Sequence, residues 1–300
     1  MTARAAALRP RGPYSLSVSA RLASDATRRV RDGVVTAVVD GADGPELTHA
    51  WQSPDGLVHV RAATEAGVDR VRWILALDDD HSEFLRRFAS DPLLGEATRQ
   101  LRGLRVVRVP TVAHALLRAL CGQLIESSRA RALERRLLRV LCRELPGTGL
   151  REPPTAATLA RVSPAELRAH GLHARRCATL VRICRSLDLE RLRDVPTDAA
   201  AERLGRERGL GPWSVGVVCL EGLGRVERGL VADLGLVKLA SALRGSWVEA
   251  HETAELLARY GEWAGLASVY LLAGFARGLV PVPDGSTPTR RGMRPRTARA

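Results

Sequence analysis

The chain runs Leu204-Gly205-Arg206-Glu207-Arg208-Gly209-Leu210-Gly211-Pro212-Trp213-Ser214 between two helical patterns. One helix is expected to end there, two glycines flank a leucine, and Pro212 falls in the first turn of the next helix, where a missing N–H costs nothing. Gly209 and Gly211 carry no Cβ, so a second backbone can approach and positive φ is open to both. The amides that open the second helix then face outward and form an anion site suited to a phosphate. Alone, this pattern is weak, because glycine is the common helix terminator and an ordinary turn has the same composition.

Asp233 follows at the end of Gly229-Leu230-Val231-Ala232, just before another helical pattern. An aspartate there caps a helix. The same placement puts a carboxylate at the positive end of a helix dipole, as a charge-stabilising reaction requires. The two roles are compatible.

Charge narrows the partner. The 300 residues carry a formal net charge of +13, with 46 basic against 33 acidic side chains. Such an excess is unfavourable in a compact chain unless a polyanion offsets it, with nucleic acid first and an anionic membrane surface second. Lys238 is the only lysine; the other cations are arginines, suited to bidentate phosphate contacts. No apolar run reaches membrane-span length, and no basic amphipathic helix with a bulky aromatic face is evident. The five cysteines, Cys121, Cys142, Cys177, Cys184 and Cys219, are odd in number and form no C-x-x-C. That argues against a disulfide framework, a zinc knuckle and an iron-sulfur cluster, and for a reducing intracellular compartment.

The organisation reads as α+β. Residues 1–12 are expected to be a flexible basic leader, and 13–100 an N-terminal domain built on an antiparallel sheet. Alternating or valine-rich runs at Ser15–Ser19, Gly33–Val39 and Gly56–Ala62 suggest its strands, with turns at 40–44 and 53–56. Asp80 is expected near the N-cap of a short helix from His81. Residues 101–283 read as almost wholly helical, and 284–300 as a disordered basic tail.

These features together resemble the helix-hairpin-helix DNA glycosylases, marked by a Gly/Pro hairpin and a following Asp, and most nearly the 3-methyladenine DNA glycosylase II family. The similarity covers nearly the whole chain. Pro13-Tyr14 and the strands after it resemble the family's N-terminal domain, similar to half of a TATA-binding-protein fold. Asp91 and Gly103-Leu104-Arg105 resemble the join between domains. Cys121-Gly122-Gln123-Leu124-Ile125 resembles the Gly-Gln motif of the DNA-facing helix. Gly209 to Trp213 resembles the hairpin, and Asp233-Leu234-Gly235-Leu236 the catalytic segment.

The resemblance implies a monomeric enzyme acting on double-stranded DNA at the nucleoid, with Asp233 as catalytic carboxylate. Leu124 would be the wedge replacing an extruded nucleotide, although a plain core leucine fits the sequence equally well. Gln123 and the amides of Gly209, Gly211 and Ser214 would bind DNA. Carbonyls of Gly205, Glu207 and Leu210 would hold Na+ or K+, no other cofactor being required. Trp213 would sit beside the target base, with Val217, Leu234 and Leu272 where relatives have aromatics. Relatives that also cut the backbone use a lysine amine; Trp213 occupies that position, so a monofunctional enzyme excising alkylated purines by base flipping is expected. The aliphatic pocket keeps two alternatives open: a glycosylase for another damaged base, and a non-catalytic DNA-binding protein.

Overall fold

The computed structural model describes residues 4–283. The basic tail expected over 284–300 lies outside the described residues. The chain begins with β1 (Arg4–Leu8), α1 (Leu16–Ser19), β2 (Arg28–Arg31), β3 (Val34–Gly41), β4 (Gly44–Gln52), β5 (Val58–Ala62) and α2 (Glu65–Ile74). The five strands form one antiparallel sheet in the order β1-β5-β4-β3-β2. Valines at 34, 35, 38 and 39 favour the extended β3, which pairs with β4 from Val34 opposite Trp51 to Gly41 opposite Gly44. The inner face of the sheet, including Val35, Ala37, Val39, Ala50, Val58 and Val60, packs on Val68, Val71 and Ile74 of α2.

Two local expectations fail here. The segment expected as a flexible leader contains β1, whose Leu8 lies opposite Val58. Ala6 and Leu8 pack onto the sheet core, so alternation within a basic stretch suffices to dock an edge strand. Ser15–Ser19, expected as a strand, is the turn of helix α1. The Ser15 hydroxyl accepts from Val18 N–H and caps that turn, a local bond that competes with the extended form.

The helices that follow are α3 (Ser82–Arg87), α4 (Gly95–Gln100), α5 (Val112–Gly122), α6 (Ser127–Leu141), α7 (Ala156–Arg161), α8 (Pro164–Ala169) and α9 (Ala174–Ser186). After them come α10 (Thr197–Gly205), α11 (Pro212–Val217), α12 (Leu234–Arg244), α13 (Thr253–Ala258) and α14 (Ala264–Phe275). The Asp80 carboxylate accepts from Ser82 N–H at 2.8 Å and so caps α3, with His81 as the boundary residue. The helix that opens at Pro212 widens into a π-turn over Val218–Leu223 and stops at Gly224 (φ +69°).

A second apolar core lies among these helices. It also takes Phe84, Leu85, Phe88, Leu94 and Leu101 from the α3–α4 region. Because α2 already covers the inner sheet face, α3 finds its partners elsewhere: Phe84 and Phe88 pack against Trp263, Tyr270 and Tyr260.

A buried ionic cluster crosses from the strand region to the helices. Arg118 on α5 donates to Asp25 (2.8 Å) and Glu134 of α6 (2.9 Å), and also pairs with Glu221. His114 Nε2 lies 2.8 Å from Glu134, and Arg28 lies 3.3 Å from Asp25. Asp25, His114 and Glu134 bring potential metal-ligand atoms within 4.8 Å of one another. The Arg118 guanidinium already bonds both carboxylates, so the cluster is a set of ion pairs rather than a vacant metal cage.

Candidate active site

Asp233 caps α12. Its Oδ1 accepts from the N–H groups of Gly235 (2.7 Å) and Leu236 (3.4 Å), and its Oδ2 accepts from the indole N–H of Trp213 (2.9 Å). Every one of these partners is a donor, which suits an anionic carboxylate at the positive end of the helix. Gly235 also packs closely: a Cβ there would meet the tip of the Leu272 side chain.

The loop leading into Asp233 is tied from below. Leu230 N–H donates to Ser268 Oγ (3.0 Å) and Ala232 N–H to Thr253 Oγ1 (2.7 Å), both from fully buried residues. Ala232 has φ +71°, a left-handed conformation costly for a residue with a Cβ. Gly216 of α11 lets the loop approach, since a Cβ there would lie 2.7 Å from the Gly229 carbonyl oxygen.

The hairpin between α10 and α11 is joined to the end of α5. Gln123 Nε2 donates to the Gly209 carbonyl and to Ser214 Oγ, each at 2.9 Å. Gly209 has φ +98°, and a Cβ on it would meet Thr179 Oγ1 at 2.5 Å. Gly211 does not use its freedom: at φ −94° it is the ordinary extended N-cap of α11. Arg182 of α9 secures the turn from outside, pairing with the Glu207 carboxylate (2.5 Å) and donating to the Arg208 carbonyl (2.7 Å).

Leu124 follows Gln123. It has φ +57° and is 98% exposed. A core role is thereby excluded, and the residue combines an apolar side chain in water with a strained backbone. Such strain persists only where the surroundings impose it, and it concentrates at functional sites.

The remaining expected residues divide. Trp213 is half-buried, with its ring against Gly122, where a Cβ would lie 2.5 Å from the indole edge. Leu272 lies beside Gly235, and Leu234 is 44% exposed at the start of α12. Val217 is buried in the helical core. Lys238 is exposed on α12, one turn beyond Leu234. The Glu207 carbonyl accepts the Leu210 N–H (3.0 Å), which leaves one of its lone pairs for another partner. All five cysteines are free and buried. Sequence reasoning missed Ser268, Thr253, Thr179 and Arg182. Isolated hydroxyls and one arginine among many carry no spacing signal, and only the fold places them.

No family model matches the sequence. The DNA-3-methyladenine glycosylase of Bacillus subtilis is 26% identical over 204 residues, covering 65% of this chain and 67% of that protein. A probable bifunctional transcriptional activator/DNA repair enzyme AlkA of Mycobacterium tuberculosis is 25% identical over 276 residues. That match takes in 87% of this chain but 55% of the mycobacterial protein, so the chain spans about half of that relative's length. Among solved structures, the 3-methyladenine DNA-glycosylase from Archaeoglobus fulgidus superposes with a TM-score of 0.78 at 20% identity, over 90% of this chain and 97% of that one. The Clostridium acetobutylicum 8-oxoguanine glycosylase/lyase superposes with a TM-score of 0.74 at 16% identity, over 92% and 98%. At those identities the two structures establish a shared α+β fold.

Proposed function

We propose that the chain is a helix-hairpin-helix DNA glycosylase, near the 3-methyladenine glycosylase II group, and that it excises alkylated purines from duplex DNA; its similarity to the Bacillus subtilis DNA-3-methyladenine glycosylase and the mycobacterial AlkA supports this. The observation that carries this reading is the role of Trp213. Its N–H holds Asp233 while its ring seats on Gly122, two residues before the exposed Leu124. A wedge and a carboxylate, far apart in sequence, are joined through one side chain.

The target nucleotide must leave the stack before its sugar–base bond can be reached. Leu124 fills the gap it leaves, and the Gln123-tied hairpin holds the backbone through the amides of Gly209, Gly211 and Ser214. Cleavage of the N-glycosidic bond builds positive charge on the sugar, which the Asp233 carboxylate stabilises electrostatically. Asp233 Oδ1 is held by two amides, so Oδ2, with a single indole donor, is the oxygen free to face the sugar or orient the attacking water. In this reading Leu234 and Leu272 give the extruded base aliphatic contacts beside Asp233. Cationic purines such as 3-methyladenine or 7-methylguanine gain further from the face of Trp213.

We assign a monofunctional reaction, because Trp213 stands where a lyase lysine would and Lys238 points from an exposed helix face. The carbonyl oxygens of Gly205, Glu207 and Leu210 suit a hard monovalent cation, which would rigidify the hairpin when bound. The proposal includes an N-terminal sheet domain followed by a helical catalytic domain, a monomeric state, and action on chromosomal DNA in a reducing compartment. Among the described residues no helix is long and apolar enough to cross a membrane.

The test is release of free methylated purines from methylated duplex DNA by wild type and Asp233→Asn. Release that collapses in the variant, with DNA binding intact, is the expected result. Equal release by both removes Asp233 from its role. Binding without release from any member of a lesion panel leaves a DNA-binding module without chemistry.

A further inference from the structure

The outer face of the β-sheet, opposite α2, is a second candidate binding surface. The strand register lines up two rows of side chains across all five strands. One row is Arg31, Val34, Trp51, His59 and Ala7. The other is Arg29, Thr36, His49, Arg61 and Ala5. Neither row contains a carboxylate. Arg29, Arg31 and Arg61 are exposed, and Trp51, His49 and His59 are half-exposed. Among the described residues no acidic side chain pairs with Arg29 or Arg61, whereas Arg31 meets only the exposed Asp32 at 3.3 Å.

The rings are ordered. Trp51 and His59 stack with centroids 5.4 Å apart and planes 13° from parallel. The Arg61 guanidinium lies 5.9 Å from the Trp51 ring centroid, and His49 is held by Thr36 Oγ1 at 3.2 Å. Ala5 and Ala7 keep the β1 edge low beside these rings. Five strands make a platform about 20 Å across, cationic at its rim and aromatic near its centre, with Thr36 buried between the rings and β2.

We propose that this face binds single-stranded nucleic acid, at a site separate from the hairpin and Asp233. Exposed cations on a face whose two rows hold no carboxylate select a polyanion. The ring cluster selects among polyanions, because unpaired bases can stack on it whereas the bases of a duplex are already stacked on one another. An acidic peptide would satisfy the arginines and leave the rings unused.

The experiment is fluorescence anisotropy of a labelled thymidine 20-mer with the full chain, titrated at several salt concentrations. Wild type is expected to bind, with an affinity that falls as salt rises. Arg29→Gln/Arg61→Gln should lower the salt slope by about 0.7 for each phosphate no longer neutralised. Trp51→Ala should weaken binding roughly tenfold with the slope unchanged, and Trp51→Phe should restore most of the affinity. Circular dichroism checks that each variant keeps its fold, and base release from damaged duplex should be unchanged in all of them. Indifference of strand binding to these substitutions would overturn the proposal. So would equal losses on duplex and single strand in a folded variant, or an abasic polyphosphate binding as tightly as the 20-mer. None of these outcomes depends on whether the chain proves to be a glycosylase.

Discussion

The indole of Trp213 touches two parts of the site at once: its N–H donates to Asp233 Oδ2 over 2.9 Å, and its far edge occupies the space a Cβ on Gly122 would need. Position of the carboxylate and position of the α5 terminus are therefore linked through one rigid ring.

Trp213→Phe keeps a ring but removes the donor. A hydrogen bond to a charged group contributes about 1.5–3 kcal/mol. Single-turnover base release should therefore fall by roughly 10- to 100-fold, with affinity for abasic duplex retained. Unchanged release would mean that Asp233 is held well enough by the α12 amides alone.

Gly122→Ala tests the packing of the ring. The new methyl would stand 2.5 Å from the Trp213 ring edge, so the ring must move. Overpacking of this kind costs about 1–3 kcal/mol. Thermal stability and base release should both drop, and adding Trp213→Phe, which leaves more room, should recover part of the stability.

Leu124→Gly separates strain from function. Glycine accepts φ +57° without penalty, so the melting temperature should stay level or rise despite loss of a large side chain. A wedge role predicts that excision from duplex falls about tenfold or more, through the unfilled gap beside the flipped nucleotide. A core role would predict the reverse pattern, a strong loss of stability.

Arg118→Ala would leave Asp25, Glu134 and Glu221 without their shared cation. Breaking a buried pair from one side costs about 3–5 kcal/mol, which should be visible as a fall in the urea midpoint. The same cluster sets an acid response. Burial raises the pKa of Asp25, but Arg28, His114 and Arg118 outweigh it and hold the carboxyl well below the usual range. Glu134 is shifted in the same direction by Arg118 and His114 against its own burial. A folded-state pKa below the unfolded one means that the unfolded chain binds more protons in between. The stabilisation is thus present above about pH 4–5 and lost as pH falls below that. Denaturant midpoints followed from neutral into acid pH should show this loss in wild type and a shallower one in Asp25→Asn.

Much of this was legible in the linear pattern because the signals are local. Valine-rich alternation marked β3, and Asp233 before an apolar helical run marked α12. Ser15–Ser19 misled because a serine cap can close a helical turn within an alternating stretch. The β1 strand was hidden because an edge strand needs only two inward side chains to dock.

What the sequence alone determined is most of the helices, the central strands and the residue types at the hairpin and at Asp233, since capping, glycine placement and periodicity act over a few residues. The tertiary structure decided which of them meet. Gln123 reaches Gly209 and Ser214, and Trp213 reaches Asp233, only when α5, α11 and α12 share one core. Leu124 lies outside that core because the backbone after Gln123 turns left-handed, a conformation that no side-chain pattern announces. Arg118 joins carboxylates from distant segments, because a buried charge must find its partners wherever the packing brings them.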